Sequence, residues 1–250
     1  MTLRDFFAAY PRAALAFSGG TDSAYLLYAA LRCGAEVQPY FIKTVFQTAE
    51  ELENARALCR SLNVPLRVIE CDILAASSVR ENGADRCYHC KRALFTVLLS
   101  RAKEDGYEVV LEGTNASDNS ADRPGMRAVK ELGVLSPLRE CGVTKSEIRA
   151  RSREAGLSTA DTPSRACLAT RVPTGRTIEE TLLERAEGAE NALYAMGYND
   201  LRVRILGECA RLQLPEEQLP RAVSEREAIR SALKPYFSDV LLDLRSRRGL

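Results

Sequence analysis

Ala16-Phe17-Ser18-Gly19-Gly20-Thr21-Asp22-Ser23 sets a glycine-rich turn, with hydroxyls and one carboxylate, directly behind an apolar run at residues 13–17. Such a turn is a phosphate cradle. Gly19 and Gly20 let the backbone approach an anion with no Cβ in the way, and residues 23–31 read as a helix whose first N–H groups point at that anion. Ser18, Thr21 and Ser23 add hydroxyl donors, while Asp22 is placed to hold Mg²⁺ rather than to face bare phosphate. The lysine that a Walker loop requires is absent, which disfavours γ-phosphoryl transfer of the kinase or GTPase kind. A plain Gly-Gly turn ahead of a helix is the competing reading, and the position behind a strand argues against it.

Outward from this loop, residues 13–138 alternate β-type runs with helical stretches. Strands are expected at 13–17, 36–42, 66–70 and 109–113, and helices near 23–33, 49–62 and 91–104. Strands separated by helices of this length argue for an α/β, doubly wound parallel sheet with ligands at the carboxyl ends of its strands. That places Ser18 to Ser23, Lys43 with Thr44, and Gly113 to Asn115 along one edge. Beyond a charged helix at 145–155 and a loop at 161–173, the grammar changes to a helix at 178–196, strands at 201–206 and 210–214, a helix at 224–236 and a strand at 240–244. This reads as a smaller α+β domain. The boundary falls between about 158 and 177, giving domains 1–160 and 161–250.

A chain of 250 residues with 46% hydrophobic content can bury a substantial core. Lys and Arg number 35 against 34 Asp and Glu, so a net charge of +1 gives no global footprint for nucleic acid and a small-molecule substrate is expected. No apolar run reaches bilayer length and no secretory leader pattern opens the chain, so a cytosolic protein without a membrane partner is expected. In that compartment the eight cysteines are read as thiols, metal ligands or catalytic groups rather than disulfides.

Cys87-Tyr88-His89-Cys90-Lys91 brings two sulphurs within reach of one metal or cluster, and a helix starting there favours thiolates. The pair alone fits a metal site, a redox couple or two ordinary thiols at a helix start. Cys167 lies on the loop Pro163-Ser164-Arg165-Ala166-Cys167-Leu168-Ala169-Thr170-Arg171-Val172-Pro173, between two arginines whose charge favours the nucleophilic thiolate.

Ser18 to Ser23 resembles the pyrophosphate-binding loop of the N-type ATP pyrophosphatases, enzymes that adenylylate a substrate oxygen and release pyrophosphate. The order of several blocks resembles the LarE family, ATP-dependent sacrificial sulphur transferases that act in making the nickel-pincer cofactor of lactate racemase. The matching blocks are Ala16 to Ser23, Arg86 to Phe95, Glu112-Gly113-Thr114-Asn115-Ala116-Ser117-Asp118, Arg123-Pro124-Gly125, Pro163 to Pro173 and Leu201-Arg202-Val203-Arg204. The resemblance implies that Mg-ATP adenylylates a carboxylate of a pyridinium dicarboxylate mononucleotide and that sulphur then attacks the mixed anhydride. In some members the thiolate corresponding to Cys167 attacks and is sacrificed, leaving dehydroalanine. In others three cysteines hold a [4Fe-4S] cluster. Cys87, Cys90 and Cys167 fit the second pattern, which is favoured here, with the sulphide donor unspecified.

Ser18, Gly19, Gly20, Thr21, Asp22 and Ser23 are expected to hold ATP phosphates and Mg²⁺; Lys43 and Thr44, just past a strand end, are read either as contacts to adenine or ribose or, for the lysine, as a solvated strand terminus. Gly113 and Thr114 line the nucleotide pocket, with Asn115 and Asp118 as loop hydrogen bonders or simple turn residues. Lys91 and Arg123 neutralise charge on departing pyrophosphate. Arg165, Arg171, Arg202 and Arg204 are candidates for the substrate phosphate and carboxylates. Glu112 and Glu190 are weaker candidates. Family members with a metal beside the sacrificial cysteine have a glutamate where this chain reads Ala210-Arg211-Leu212-Gln213, which argues against such a site built with Glu190. A homo-oligomer, a hexamer, is implied. Rival readings are a tRNA thiolase, disfavoured by the near-neutral charge, an ammonia-using synthetase with no need of Cys167, and a zinc-binding nucleotide sensor.

Overall fold

The computed structural model describes residues 1–118, 124–163 and 166–247. The chain divides into two compact units, Met1–Val79 with Asp85–Thr162, and Arg80–Ala84 with Pro163–Leu250.

The first unit runs α1 (Leu3–Ala9), β1 (Arg12–Ala16), α2 (Thr21–Arg32), β2 (Glu36–Lys43), α3 (Ala49–Ser61), β3 (Arg67–Glu70), α4 (Ser77–Arg80, at whose end the chain passes to the other unit), α5 (Arg86–Glu104), β4 (Val110–Leu111), α6 (Pro124–Glu131), α7 (Pro137–Glu140) and α8 (Lys145–Glu154). The four strands are parallel in the order β3-β2-β1-β4. Side chains alternate between the two faces. Ala13 and Leu15 of β1, with Val37 and Phe41 of β2, enter one core with α2, α3 and α8; Ala14, Tyr40 and Val110 enter another with Phe95, Leu98 and Ala102 of α5 and Val129 of α6. Each fully buried Leu or Phe contributes about 1.5–3 kcal/mol. This is the doubly wound α/β sheet that the alternation predicts. β4 is shorter than the predicted 109–113: beyond its pairing with β1 the chain meets only a single bridge, Leu111 to Leu135, with Glu112 N donating to the Leu135 carbonyl at 2.9 Å. α1, α4, α6 and α7 were not predicted: each is too short for helical periodicity to stand out.

Helix N-termini in this unit are of two kinds, those with a side-chain cap and those without, α5 and α7 among the latter. α1, α3 and α8 begin in capping boxes, Thr2 with Asp5, Thr48 with Glu51 and Thr144 with Glu147. α2 begins at Gly20 with no side-chain cap, so its first-turn N–H groups have no partner from their own helix.

The second unit contains α9 (Glu180–Ala195), β5 (Arg202–Leu206), β6 (Cys209–Gln213), α10 (Leu219–Ser224), α11 (Arg226–Leu233) and β7 (Asp239–Leu242). β5 and β6 are antiparallel, and β6 and β7 parallel. α9 packs on β5, and α11 on α9 and β7. Val203, Ile205, Ala210 and Leu212 are buried, so the sheet has one apolar face; Arg202, Arg204, Arg211 and Gln213 alternate onto the other. The helix predicted at 224–236 is the shorter α11; α10, which was not predicted, precedes it, and the two meet at Glu225, whose carboxylate accepts from Tyr198 Oη and Arg221 Nε at 2.9 Å each. Asn82 ties the early segment into this unit. Its Nδ2 donates to the carbonyls of Pro173 (2.8 Å) and Arg176 (3.1 Å), and its own carbonyl accepts from Gly175 N at 2.8 Å.

Candidate functional site

In the first unit, β1 ends and the chain turns through Gly19, whose φ of +72° is left-handed, into α2. A Cβ on Gly19 would stand 3.0 Å from the Ala55 Cβ of α3, so both conformation and space demand glycine. Ser18 Oγ lies 3.1 Å from Ser23 Oγ and accepts from Gly20 N at 3.3 Å, which draws the turn around the helix start. Thr21 Oγ1 donates to the Thr159 carbonyl at 2.8 Å, so that hydroxyl braces the loop from behind. Gly113, just past β4, would place a Cβ 3.1 Å from Ser23 N, so the two strand-end loops touch where the N–H groups of α2 emerge.

The neighbouring loops are braced from within. Glu112 is buried and accepts from Thr114 N (3.1 Å), Thr114 Oγ1 (2.7 Å) and Ser136 Oγ. Asp118 accepts from Asn115 N at 3.1 Å, and Asn115 Oδ1 from Ser117 N at 2.8 Å, so these two residues build the turn. Thr44 donates through N and Oγ1 to Gln47 Oε1, and Lys43 Nζ to the Gln47 carbonyl. Asp22, in the first turn of α2, is met by Lys145, whose Nζ reaches both carboxylate oxygens at 2.8 Å. Sequence reasoning missed Lys145. A signal for it existed: a cation at the first position of α8 sits at the positive end of a helix and calls for an anionic partner.

Cys87 and Cys90 occupy the first turns of α5, three residues apart and so on neighbouring positions of one helical face. Arg86 Nη2 donates to Cys87 Sγ at 3.5 Å. Lys91 on the same helix lies against Gly125, where a Cβ would come 2.9 Å from its Cδ. Arg123 and Arg165 lie outside the described residues. Among the described residues, no group of three or more His, Cys, Asp or Glu side chains is gathered so as to hold a metal ion.

In the second unit, Cys167 leads into a single 3₁₀ turn, Leu168–Arg171. Arg171, 4% exposed, makes a bidentate pair with Glu190, Nε to Oε1 and Nη2 to Oε2 at 2.8 Å each. Its Nη1 donates to the carbonyls of Ala166 (2.8 Å) and Cys167 (3.3 Å), so the guanidinium clamps the main chain on both sides of the thiol. Glu190 also accepts from Val203 N at 2.9 Å, which fastens the clamp to β5. Most of Arg171's donors are thereby committed within the protein. Arg204 donates to the Thr170 carbonyl and to Gln213 Oε1, at 2.6 Å each. Arg202 is equally buried, and burial, reinforced by the guanidiniums of Arg171 and Arg247, presses its pKa down to about 10. Arg204 is shifted downward chiefly by burial as well.

Over 246 residues the chain is 35% identical to "Uncharacterized protein slr1717" of Synechocystis sp. (strain ATCC 27184 / PCC 6803 / Kazusa), covering 97% of this chain and 92% of that protein. The chain belongs to the slr1717 family. "Uncharacterized protein MJ0830" of Methanocaldococcus jannaschii is 32% identical over 236 residues, 94% of this chain and 90% of its own. This slr1717-family chain is also similar to "Pyridinium-3,5-bisthiocarboxylic acid mononucleotide synthase" of Lactiplantibacillus plantarum, 29% identical over 236 residues, 93% of this chain and 86% of that one. The family model for the Queuosine biosynthesis protein QueC, a PP-loop family, matches residues 12–85. That stretch holds β1 to β3 and the Gly19-Gly20 turn, so the first unit has the PP-loop, Rossmann-like fold.

Proposed function

We propose that this chain is an ATP-dependent sulphur transferase that activates a carboxylate of a pyridinium dicarboxylate mononucleotide as its adenylate and replaces the leaving oxygen with sulphur, in nickel-pincer cofactor synthesis. The observation that carries this reading is the clamp on Cys167: a thiol on a surface loop whose main chain a buried Arg171–Glu190 pair holds beside Arg204. Similarity to the Lactiplantibacillus synthase over most of both chains supports it.

ATP binds with its phosphates on the N–H groups of α2, where no side chain caps the helix. Asp22 is the carboxylate that would hold Mg²⁺, and Lys145, freed from it, supplies an ammonium to the phosphates. The substrate carboxylate attacks the α-phosphorus; its O–P bond forms as the bond to pyrophosphate breaks, and pyrophosphate departs with the electron pair. Cys167 Sγ then attacks the acyl carbon, forming C–S while AMP leaves with the C–O pair. Loss of the Cα proton to solvent and cleavage of Cβ–Sγ leave the thiocarboxylate on the product and dehydroalanine at 167. Arg202 and Arg204 bind the substrate's anionic groups.

A second reading draws sulphur from a [4Fe-4S] cluster, and the placing of Cys87 and Cys90 on one helical face favours it. These two are ligands of the right kind; Cys167, in the other unit, is the third that the resemblance implies. When bound, such a cluster would supply sulphide in place of the Cys167 sulphur. Anaerobic turnover with Mg-ATP and substrate, followed by intact-mass and iron analysis, decides between them. A loss of about 34 Da, one H₂S, after a single turnover supports Cys167 as donor. About four irons per chain with Cys167 intact after many turnovers establishes the cluster. Pyrophosphate release without any sulphur-bearing product overturns both.

A further inference from the structure

Five residues from far upstream, 80–84, complete the second unit, and one of them closes the turn that follows the Cys167 loop. Asn82 is 1% exposed. Its φ of +57° is left-handed, a conformation that asparagine adopts more readily than most side chains. Its Nδ2 has two protons to give and three carbonyls to meet, those of Pro173 at 2.8 Å, Arg176 at 3.1 Å and Val172 at 3.4 Å. The Asn82 carbonyl accepts from Gly175 N, and that of Arg80 from Ile178 N, at 2.8 Å each. The short segment thus grips residues 172–178 through side chain and main chain together.

Between this turn and Cys167 lies only the 3₁₀ turn Leu168–Arg171. That turn is itself closed. Thr170 N and Oγ1 donate to the Cys167 carbonyl at 3.0 and 2.9 Å, and Val172 N to the Ala169 carbonyl at 3.3 Å. A shift at Val172 is therefore passed to Cys167 rather than absorbed on the way. Among the described residues, three elements fix the main chain around the thiol: α9 through Glu190 and Arg171, β5 through Arg204, and residues 80–84 through Asn82. The first two grips are guanidiniums, whose removal would change charge as well as position. Asn82 is neutral, so its removal changes position alone.

We propose that Asn82 is a positioning residue for sulphur transfer: buried and bonded to main chain, it sets the place of the Cys167 thiol by closing the 172–178 turn. The proposal rests on the reading of Cys167 as a participant in sulphur transfer, and it adds a residue to which that reading gives no part. Attack on an acyl carbon demands close placement of the sulphur. A thiol on a loosened loop is easier for a small reagent to reach and slower to meet the acyl adenylate.

Full-length wild type, Asn82→Asp and Asn82→Gly are compared in two assays. Asp matches Asn in size and tolerates the left-handed backbone but has no amide protons; Gly keeps the backbone and removes the side chain. Alkylation of Cys167 by iodoacetamide, without ATP or substrate and read by peptide mass mapping, should quicken about fivefold or more in both variants, with exposed Cys33 unmoved. In a single turnover with Mg-ATP and substrate, both variants should release pyrophosphate at the wild-type rate and form thiocarboxylate about tenfold or more slowly. Alkylation and transfer moving in opposite directions mark a positioning role. Tyr198→Phe, which removes a bond to Glu225 elsewhere in the same unit, is the control: its alkylation and transfer rates should stay at wild type whatever its melting temperature. Variants at Asn82 that melt earlier yet keep both rates at wild type make it a structural brace and overturn the proposal. So do variants that lose pyrophosphate release as fully as thiocarboxylate. A wild type that forms no thiocarboxylate sinks the activity reading, while faster Cys167 alkylation in both variants still upholds the hold of Asn82 on the thiol.

Discussion

Asp22–Lys145 in the first unit and Arg171–Glu190 in the second are both short bidentate ion pairs, yet their settings differ. The side chains of Asp22 and Lys145 are 28% and 26% exposed, whereas those of Arg171 and Glu190 are 4% and 6% exposed. The first pair sits at the start of a helix that no side chain caps, and its partial exposure to water lets it open at little cost to the fold. The second is a structural rivet whose charges have no water to return to. One unit presents helix N–H groups that no side chain caps, behind two glycines; the other presents buried side-chain charge. The same kind of contact therefore serves exchange in one place and position in the other.

The largest effect that would sharpen this contrast is chemical. Cys167→Ala should release pyrophosphate yet form no thiocarboxylate, read by product mass spectrometry; sulphur transfer at the wild-type level in that variant would remove the second unit's thiol from the reaction. Lys145→Met should slow pyrophosphate release on the order of a hundredfold while changing stability by about 1 kcal/mol or less. Arg171→Met should do the reverse in stability, costing about 3–5 kcal/mol because Glu190 is left buried and uncompensated. Denaturant melts of the two variants side by side break the comparison if their midpoints shift alike. Gly19→Ala should cost about 1–2 kcal/mol from its left-handed backbone alone, with a weaker Kd for Mg-ATP.

Smallest is an alkaline effect confined to the first core. Burial pushes the Cys59 thiol up to about 12 from 9.0, so the native state holds this proton more tightly than the unfolded chain. Its contribution is complete below pH 9 and is lost as pH rises through about 12. Cys59→Ala should flatten part of the alkaline decline in stability. In native protein at pH 8, exposed Cys33 and Cys87 should alkylate while Cys59 stays unmodified, checked by peptide mass mapping.

What could be read from residues alone follows the same division. The phosphate turn is local: two glycines behind a strand and ahead of a helix identify it, and the parallel sheet follows from alternation of short apolar runs with helices. The braces are not local. Nothing near Arg171 announces Glu190 nineteen positions on, and nothing near Asp22 announces Lys145, 123 positions away. Glu112 is a weaker site candidate in the sequence; folded, its oxygens are engaged by Thr114 and Ser136. The Cys167 loop was conspicuous for its flanking arginines. That Arg171 grips the backbone required the fold.

Asn82 carries a consequence for how this chain can be cut. Its side chain closes the 172–178 turn from a stretch synthesised some ninety residues earlier. A fragment beginning at Pro163 would lack that closure, and a fragment ending at Thr162 would carry residues 80–84 with no turn to close. The second unit is therefore no interchangeable cassette: recombination at a single junction would strand one side of it, so shuffling or tagging of this chain requires breakpoints outside both segments.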